Sequence, residues 1–377
     1  MNKEINPDVA VIGAGVTGLM LTRKLSHLGM DVALIEKGDK LASGPSTRNE
    51  GWLHKGTYHA VSIKDRDTAM QVAQRCIYGH EQIRKYAPEA IEESDVASYA
   101  LVGKEKDVDD VLSRWDEVGV EYAPVTKKEL SRKAPEVQSG NIQEVFKVGD
   151  VAINTRLLYR KLLHDAESAG ATVLPNSGVI FDRDDGLKGR ITSNGEENIT
   201  VNPSIVIHAN GYGMRNEFVD QFDIDIPMRY WKSHLFIANR LSHHSVFYLD
   251  AGEAAMINHA GHSIVGLNED AVVVEEPDYE TIPTNVNNLE QAIKRLFKFE
   301  GSVMKQATAC VKVDLAENTF ARRSLNLAIF EPKDGHLCVL PGKMTEAPYT
   351  TDVLTRIIYD RLSGEDQIAL RPIDRLR

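Results

Sequence analysis

Gly13, Gly15 and Gly18 stand directly after an apolar run at 8–12 and open a helix-period stretch through Leu19, Leu21, Leu25 and Leu28. That stretch closes at Gly29, and a second apolar run at 32–35 ends in Glu36, eighteen residues beyond Gly18. Each glycine has its own physical reason. Gly13 permits a sharp strand-to-helix turn, Gly15 lets a pyrophosphate come up to the backbone, and Gly18 lets the helix pack closely on the strand. The helix N-terminus adds unpaired N–H groups and a partial positive charge for the phosphates. Glu36 is placed to accept hydrogen bonds from a ribose diol and to repel a 2′-phosphate. Three glycines alone are weak evidence, but the strand before, the helix after and the terminal acid together make a βαβ unit that binds an adenine dinucleotide. Its predicted contacts are Gly13, Ala14, Gly15, Val16, Thr17, Gly18, Glu36 and Lys37.

The stretch 46–60, STRNEGWLHKGTYHA, follows neither a strand nor a helix period. It crowds Arg48, Asn49, Trp52, His54, Lys55, Tyr58 and His59 around Gly51 and Gly56. Such density after a nucleotide-binding unit predicts a segment running close under a cofactor, with Arg48, Asn49 and Gly51 in contact with it. His54 is the candidate base, because imidazole titrates in the working pH range; a structural histidine is the alternative. Two further turns have the same character. The buried run 204–208 ends in Ala209-Asn210-Gly211, and the run 337–340 leads into Pro341-Gly342-Lys343-Met344-Thr345 before a helix at 351–362. Gly342, Met344 and Thr345 are predicted cofactor contacts, and Lys343 a cation for a developing negative charge. Arg322 and Arg323 suit bidentate capture of a carboxylate or phosphate. Lys232, His234 and Tyr248, on predicted strands, are further substrate candidates.

The elements that must position these residues form a βαβ start, a helical block (64–85, 107–118, 127–133), a strong helix at 155–169 and strands at 171–174, 178–182, 188–193 and 198–201. A strand-rich region at 226–275, a helix at 285–298 and a strand at 307–313 follow. The 377 residues, 42% hydrophobic and 26% charged, are ordinary for a soluble enzyme with more than one core. A net charge of −11 without a basic block argues against nucleic-acid binding. Cys76, Cys310 and Cys338 are scattered and odd in number, which fits neither a disulfide framework nor a metal site and points to a reducing, cytoplasmic setting. No signal-peptide core and no apolar run long enough to span a bilayer is present in the sequence.

The order of these features resembles the D-amino-acid-oxidase-like superfamily of FAD enzymes, which includes glycerol-3-phosphate dehydrogenases, L-2-hydroxyglutarate oxidases and dehydrogenases, and glycine and sarcosine oxidases. Asn49-x-Gly51-x-x-His54-x-Gly56-x-Tyr58 is similar to the hydroxyglutarate group, as is Ala347-Pro348 with Thr351. Ser46, Arg48 and His54, and Gly342-Lys343-Met344-Thr345, are similar to glycerol-3-phosphate dehydrogenases. Glu50, Trp52 and Lys55 depart from both. The resemblance implies an α/β fold of glutathione-reductase type: a Rossmann-like FAD-binding domain (1–60, 145–225 and 325–377) with an inserted antiparallel-sheet α+β substrate domain (61–144 and 226–324). It implies a flavoprotein oxidoreductase with FAD, in which His54, Arg323 and Lys343 serve catalysis. Some relatives carry a covalent His–flavin bond in the loop that holds His54. The expected substrate is a small anionic CH–OH compound, such as a 2-hydroxy acid or polyol phosphate, with oxygen, a quinone or another acceptor taking the electrons. Oxidation of CH–NH in an amine or amino acid, or a structural FAD in a binding partner, are the alternatives.

Overall fold

The computed structural model describes residues 3–92, 96–182, 186–193, 196–268, 270–298, 304–316 and 323–364. The chain divides into two compact units. One comprises Met1–Thr47, Leu158–Tyr230 and Lys312–Arg377; the other comprises Arg48–Leu157 and Trp231–Val311.

The first unit is built on a six-stranded sheet in the order Ala328–Lys333, His336–Leu340, Ile205–His208, Val9–Ile12, Val32–Ile35, Thr172–Leu174. All neighbours are parallel except the edge hairpin Ala328–Lys333 with His336–Leu340. The four inner strands are buried along their whole length, as continuous apolar runs in a covered parallel sheet must be. Register then fixes what lies side by side. Ile12 pairs with Ile35 and with His208, and His208 pairs with Cys338. The turns after Ile12, Ile35, His208 and Leu340 therefore open on one edge of the sheet, the carboxyl edge where such folds hold ligands. The helix Val16–His27 starts from this edge, and Lys24 Nζ ties it to Asp352 of the helix Ala347–Ser363 at 2.5 Å. A four-stranded sheet, Lys3–Ile5, Glu196–Val201, Gly189–Ser193 and Ser177–Phe181, completes the unit. Lys3–Ile5 carries too short a pattern to be read from the sequence.

The second unit holds most of a nine-stranded sheet, whose strands include Met228–Asn239, Ser245–Tyr248, Ala254–Asn258, His262–Leu267 and Ser98–Gly103. It is mostly antiparallel, but Ser245–Tyr248 runs parallel to Ser98–Gly103 because a long excursion of chain separates them. The helix Arg66–Tyr86 starts where Asp65 accepts a hydrogen bond from the Thr68 N–H, and it buries Ala69, Val72, Ala73, Cys76, His80 and Ile83 as its period predicts. Residues 48–60 and 145–157, which the sequence groups with the nucleotide domain, pack within this unit. Their bonds explain why: the two-residue strands Trp52–Leu53 and Val151–Ala152 pair with each other, and Ile153 N–H donates to the Gly51 carbonyl. Among the described residues no helix is long and apolar enough to cross a membrane.

Candidate functional site

Gly13 adopts φ +99°, and a Cβ there would lie 2.7–2.9 Å from backbone atoms of Ala209 and Asn210. A glycine is therefore required both by conformation and by the close approach of the second turn. At Gly18 a Cβ would overlap the Gly13 carbonyl, so the helix sits tightly on the turn. Gly15 is the N-cap of the helix Val16–His27. The Glu36 carboxylate accepts from Ala14 N–H at 2.7 Å and from Gly38 N–H at 2.8 Å, which shapes the glycine turn and leaves lone pairs for a diol. Val16 N–H donates to Ser46 Oγ at 3.0 Å, and Tyr159 OH donates to the Ser46 carbonyl at 2.6 Å. Thr17 Oγ1 and Asn210 Oδ1 are buried polar atoms with no hydrogen-bond partner among the described residues. Asn210 Nδ2 donates to Glu217. Lys37 is exposed beyond the strand end.

On the same sheet edge, the strand His336–Leu340 leads to Gly342, where a Cβ would overlap the Leu325 carbonyl. Arg323 Nη2 donates to the Gly342 carbonyl at 2.8 Å, so this arginine anchors the turn. Lys343 is half-buried and caps the single helical turn Met344–Glu346, in which Thr345 and Glu346 are fully buried. Arg322 lies outside the described residues.

In the second unit, the loop around His54 is organised by Asp150. This carboxylate, 1% exposed, accepts from Trp52 Nε1 at 3.0 Å, from Lys55 N–H at 3.1 Å and from the Thr57 hydroxyl. Burial pushes its carboxyl up, and those three donors oppose the rise. His54 Nδ1 lies 4.0 Å from Asp150 Oδ1, and its ring is held between Trp52 at 4.2 Å and the edge of His59 at 4.3 Å. His80 Nδ1 donates to the Leu53 carbonyl at 3.3 Å, and burial pushes its imidazole down to about 4. Lys55 Nζ pairs with Glu121. Asn49 Oδ1 accepts from Gly51 N–H at 2.8 Å, and the Arg48 guanidinium lies 4.3 Å over the Tyr279 ring.

A family model described as FAD dependent oxidoreductase matches residues 8–330. The chain belongs to this DAO family. A subunit A1 of anaerobic glycerol-3-phosphate dehydrogenase from Haloferax volcanii is 31% identical over 181 residues, which is 46% of this chain and 28% of that protein. The mitochondrial L-2-hydroxyglutarate dehydrogenase of Arabidopsis thaliana is 35% identical over 83 residues, 22% of this chain and 16% of that one. The matched stretches thus span about a third or less of these relatives. The L-α-glycerophosphate oxidase of Mycoplasma pneumoniae, solved with FAD bound, shares the fold at a TM-score of 0.75, with 15% identity over 97% of this chain and 100% of that chain.

FAD is the cofactor of the DAO family, and the first unit fits it. A cradle closed to any side chain at Gly13, a carboxylate at Glu36 with lone pairs to spare beyond its two backbone donors, and buried polar oxygens at Thr17 and Asn210 are a set of groups that a dinucleotide needs. The structure brings Gly13–Gly18, Glu36, Ala209–Gly211 and Gly342–Thr345 to one sheet edge, and it places Arg48, Asn49, Gly51 and His54 together in the second unit. Sequence reasoning missed Asp150. Its signal was weak: one acid in a Val-Gly-Asp-Val run, ninety-six residues from His54. Tyr159, which holds Ser46 against the start of the first helix, was legible only once the sheet was in place.

Proposed function

We propose that the chain is an FAD-dependent oxidoreductase that removes hydride from the CH–OH carbon of a small anionic substrate, a 2-hydroxy acid or a polyol phosphate. Bound FAD supplies the hydride acceptor. The observation that carries the reading is the pairing of His54 with the buried Asp150 carboxylate. As the C–H bond breaks, the substrate hydroxyl must lose its proton, and His54 takes it. Asp150, held by three donors, stabilises the imidazolium that forms, while the Trp52 and His59 rings fix the plane of His54. A structural FAD has no use for an imidazole so oriented.

The preference for an anion over an amine is supported by the cations Arg48, Lys55, Lys343 and Arg323 in a chain of net charge −11. The names of the relatives, glycerol-3-phosphate and L-2-hydroxyglutarate dehydrogenases, support the same class. Turnover with a dye acceptor, compared across 2-hydroxy acids, glycerol 3-phosphate, amino acids and secondary amines, tests the proposal. Activity confined to the amines would replace it with an amine-oxidase reading.

A further inference from the structure

Lys232 and His234 stand two residues apart on the strand Met228–Asn239, so both point to one face of it. Each is almost wholly buried, at 3% and 1% exposure. Both are engaged by one short segment, 278–282. Lys232 Nζ bonds the Asp278 carboxylate and, at 3.2 Å, the Glu280 carbonyl. His234 Nε2 accepts from Ile282 N–H at 3.0 Å. A ring nitrogen that accepts carries no proton, so the neutral ring has its proton on Nδ1. That nitrogen faces Asp270 Oδ2 at 3.6 Å, and neither atom has a hydrogen-bond partner among the described residues. Asp270 is itself fixed, with Oδ1 accepting from Asn285 Nδ2 at 2.9 Å.

The partners are unequal. The Lys232 side chain is 4% exposed, whereas that of Asp278 is 51% exposed. The same segment lays the Tyr279 ring over the Arg48 guanidinium. A buried ammonium and a carboxylate-backed imidazole, oriented side by side, are thus satisfied from outside by a carboxylate and an N–H donor. Lysine offers a point charge to an anion, and an imidazole nitrogen with its tautomer fixed accepts from a hydroxyl.

We propose that Lys232 and His234 form a binding site for a small hydroxylated anion, and that segment 278–282 fills this site with its own atoms until the ligand displaces it. The Asp278 carboxylate stands where the ligand's carboxylate or phosphate binds Lys232, and Ile282 N–H stands where its hydroxyl donates to His234. The assignment rests on the anionic CH–OH reading above and adds the residues that select for it. Loss of the internal competitor raises the fraction of competent sites and so tightens binding.

The test is calorimetric binding to the flavin-loaded protein of glutarate, 2-hydroxyglutarate and inorganic phosphate, together with hydrogen exchange at the Ile282 amide. Asp278→Ala is expected to tighten glutarate and 2-hydroxyglutarate on the order of tenfold. Lys232→Met is expected to weaken both, and phosphate, by at least about tenfold. His234→Phe is expected to remove the preference for 2-hydroxyglutarate over glutarate. In the wild type, 2-hydroxyglutarate is expected to speed exchange at Ile282. A folded Asp278→Ala protein with unchanged or weaker anion binding would overturn the site, as would slower or unaltered Ile282 exchange in the saturated wild type, which needs no variant to fold. Tighter glutarate binding in Asp278→Ala without flavin reduction by any hydroxy acid would retain the site and remove the proposed reaction. Flavin reduction by hydroxy acids with no effect of Asp278→Ala would do the reverse.

Discussion

His54 Nδ1 sits 4.0 Å from Asp150 Oδ1, with the carboxylate already holding Trp52, Lys55 and Thr57. The separation is too long for a hydrogen bond and short enough for the charge to act on the imidazole through a buried medium. Asp150 is therefore both the scaffold of the loop and the electrostatic partner of its histidine. Asp150→Ala leaves the Trp52 indole, the Lys55 amide and the Thr57 hydroxyl without their acceptor. Each such loss costs about 1–3 kcal/mol, so urea unfolding should show a large drop in stability. Asp150→Asn keeps an acceptor oxygen and should be milder in stability while still slowing flavin reduction.

His54→Ala should slow flavin reduction by roughly two to four orders of magnitude, the usual range for a lost general base. Stopped-flow reduction under anaerobic conditions measures it. Reduction at the wild-type rate would return His54 to a structural role, and FAD that stays with acid-precipitated protein would mark His54 as a point of covalent attachment.

Gly13→Ala should yield protein that retains no FAD, because the added carbon meets Ala209 and Asn210 backbone at 2.7–2.9 Å and the φ of +99° disfavours any side chain. Gly15→Val should do the same by filling the approach of the pyrophosphate. Absorbance of the purified proteins and FAD in the heat-released supernatant check both.

Stability should fall as pH drops from about 6.5 towards 3. Burial pushes His80 down to about 4 and His336 down to about 3, and the neighbouring His208 lowers the latter further. Between those values and 6.5 the unfolded chain binds protons that the folded chain refuses, so acid favours unfolding. Each group adds a slope of roughly 1.4 kcal/mol per pH unit within its window. His80→Gln should flatten the part of the curve above pH 4, as read by denaturant unfolding at a series of pH values.

The nucleotide unit was legible because its signals are local. A buried run, spaced glycines and a terminal acid lie within residues 8–36, and the strands Val9–Ile12 and Val32–Ile35 fall where the pattern puts them. The turns at 209–211 and 342–345 were legible for the same reason. What the sequence hid depends on long-range pairing. Ile142–Val148 lacks a clean alternation, being buried at Ile142, Val145, Phe146 and Val148, and it forms only because Ser98–Gly103 and Tyr122–Pro124 flank it. Asp150 follows that strand, so its role at His54 was hidden with it. Arg323 reads as a substrate clamp in sequence, whereas in the fold its guanidinium holds the Gly342 carbonyl.

The most direct test of the central claim is anaerobic mixing of the FAD-loaded protein with single substrates while the flavin absorbance is followed. Bleaching by a 2-hydroxy acid or glycerol 3-phosphate, slowed in His54→Ala, is the predicted result. Bleaching by neutral or secondary amines alone, with every hydroxy acid and phosphate ester inert, would contradict it.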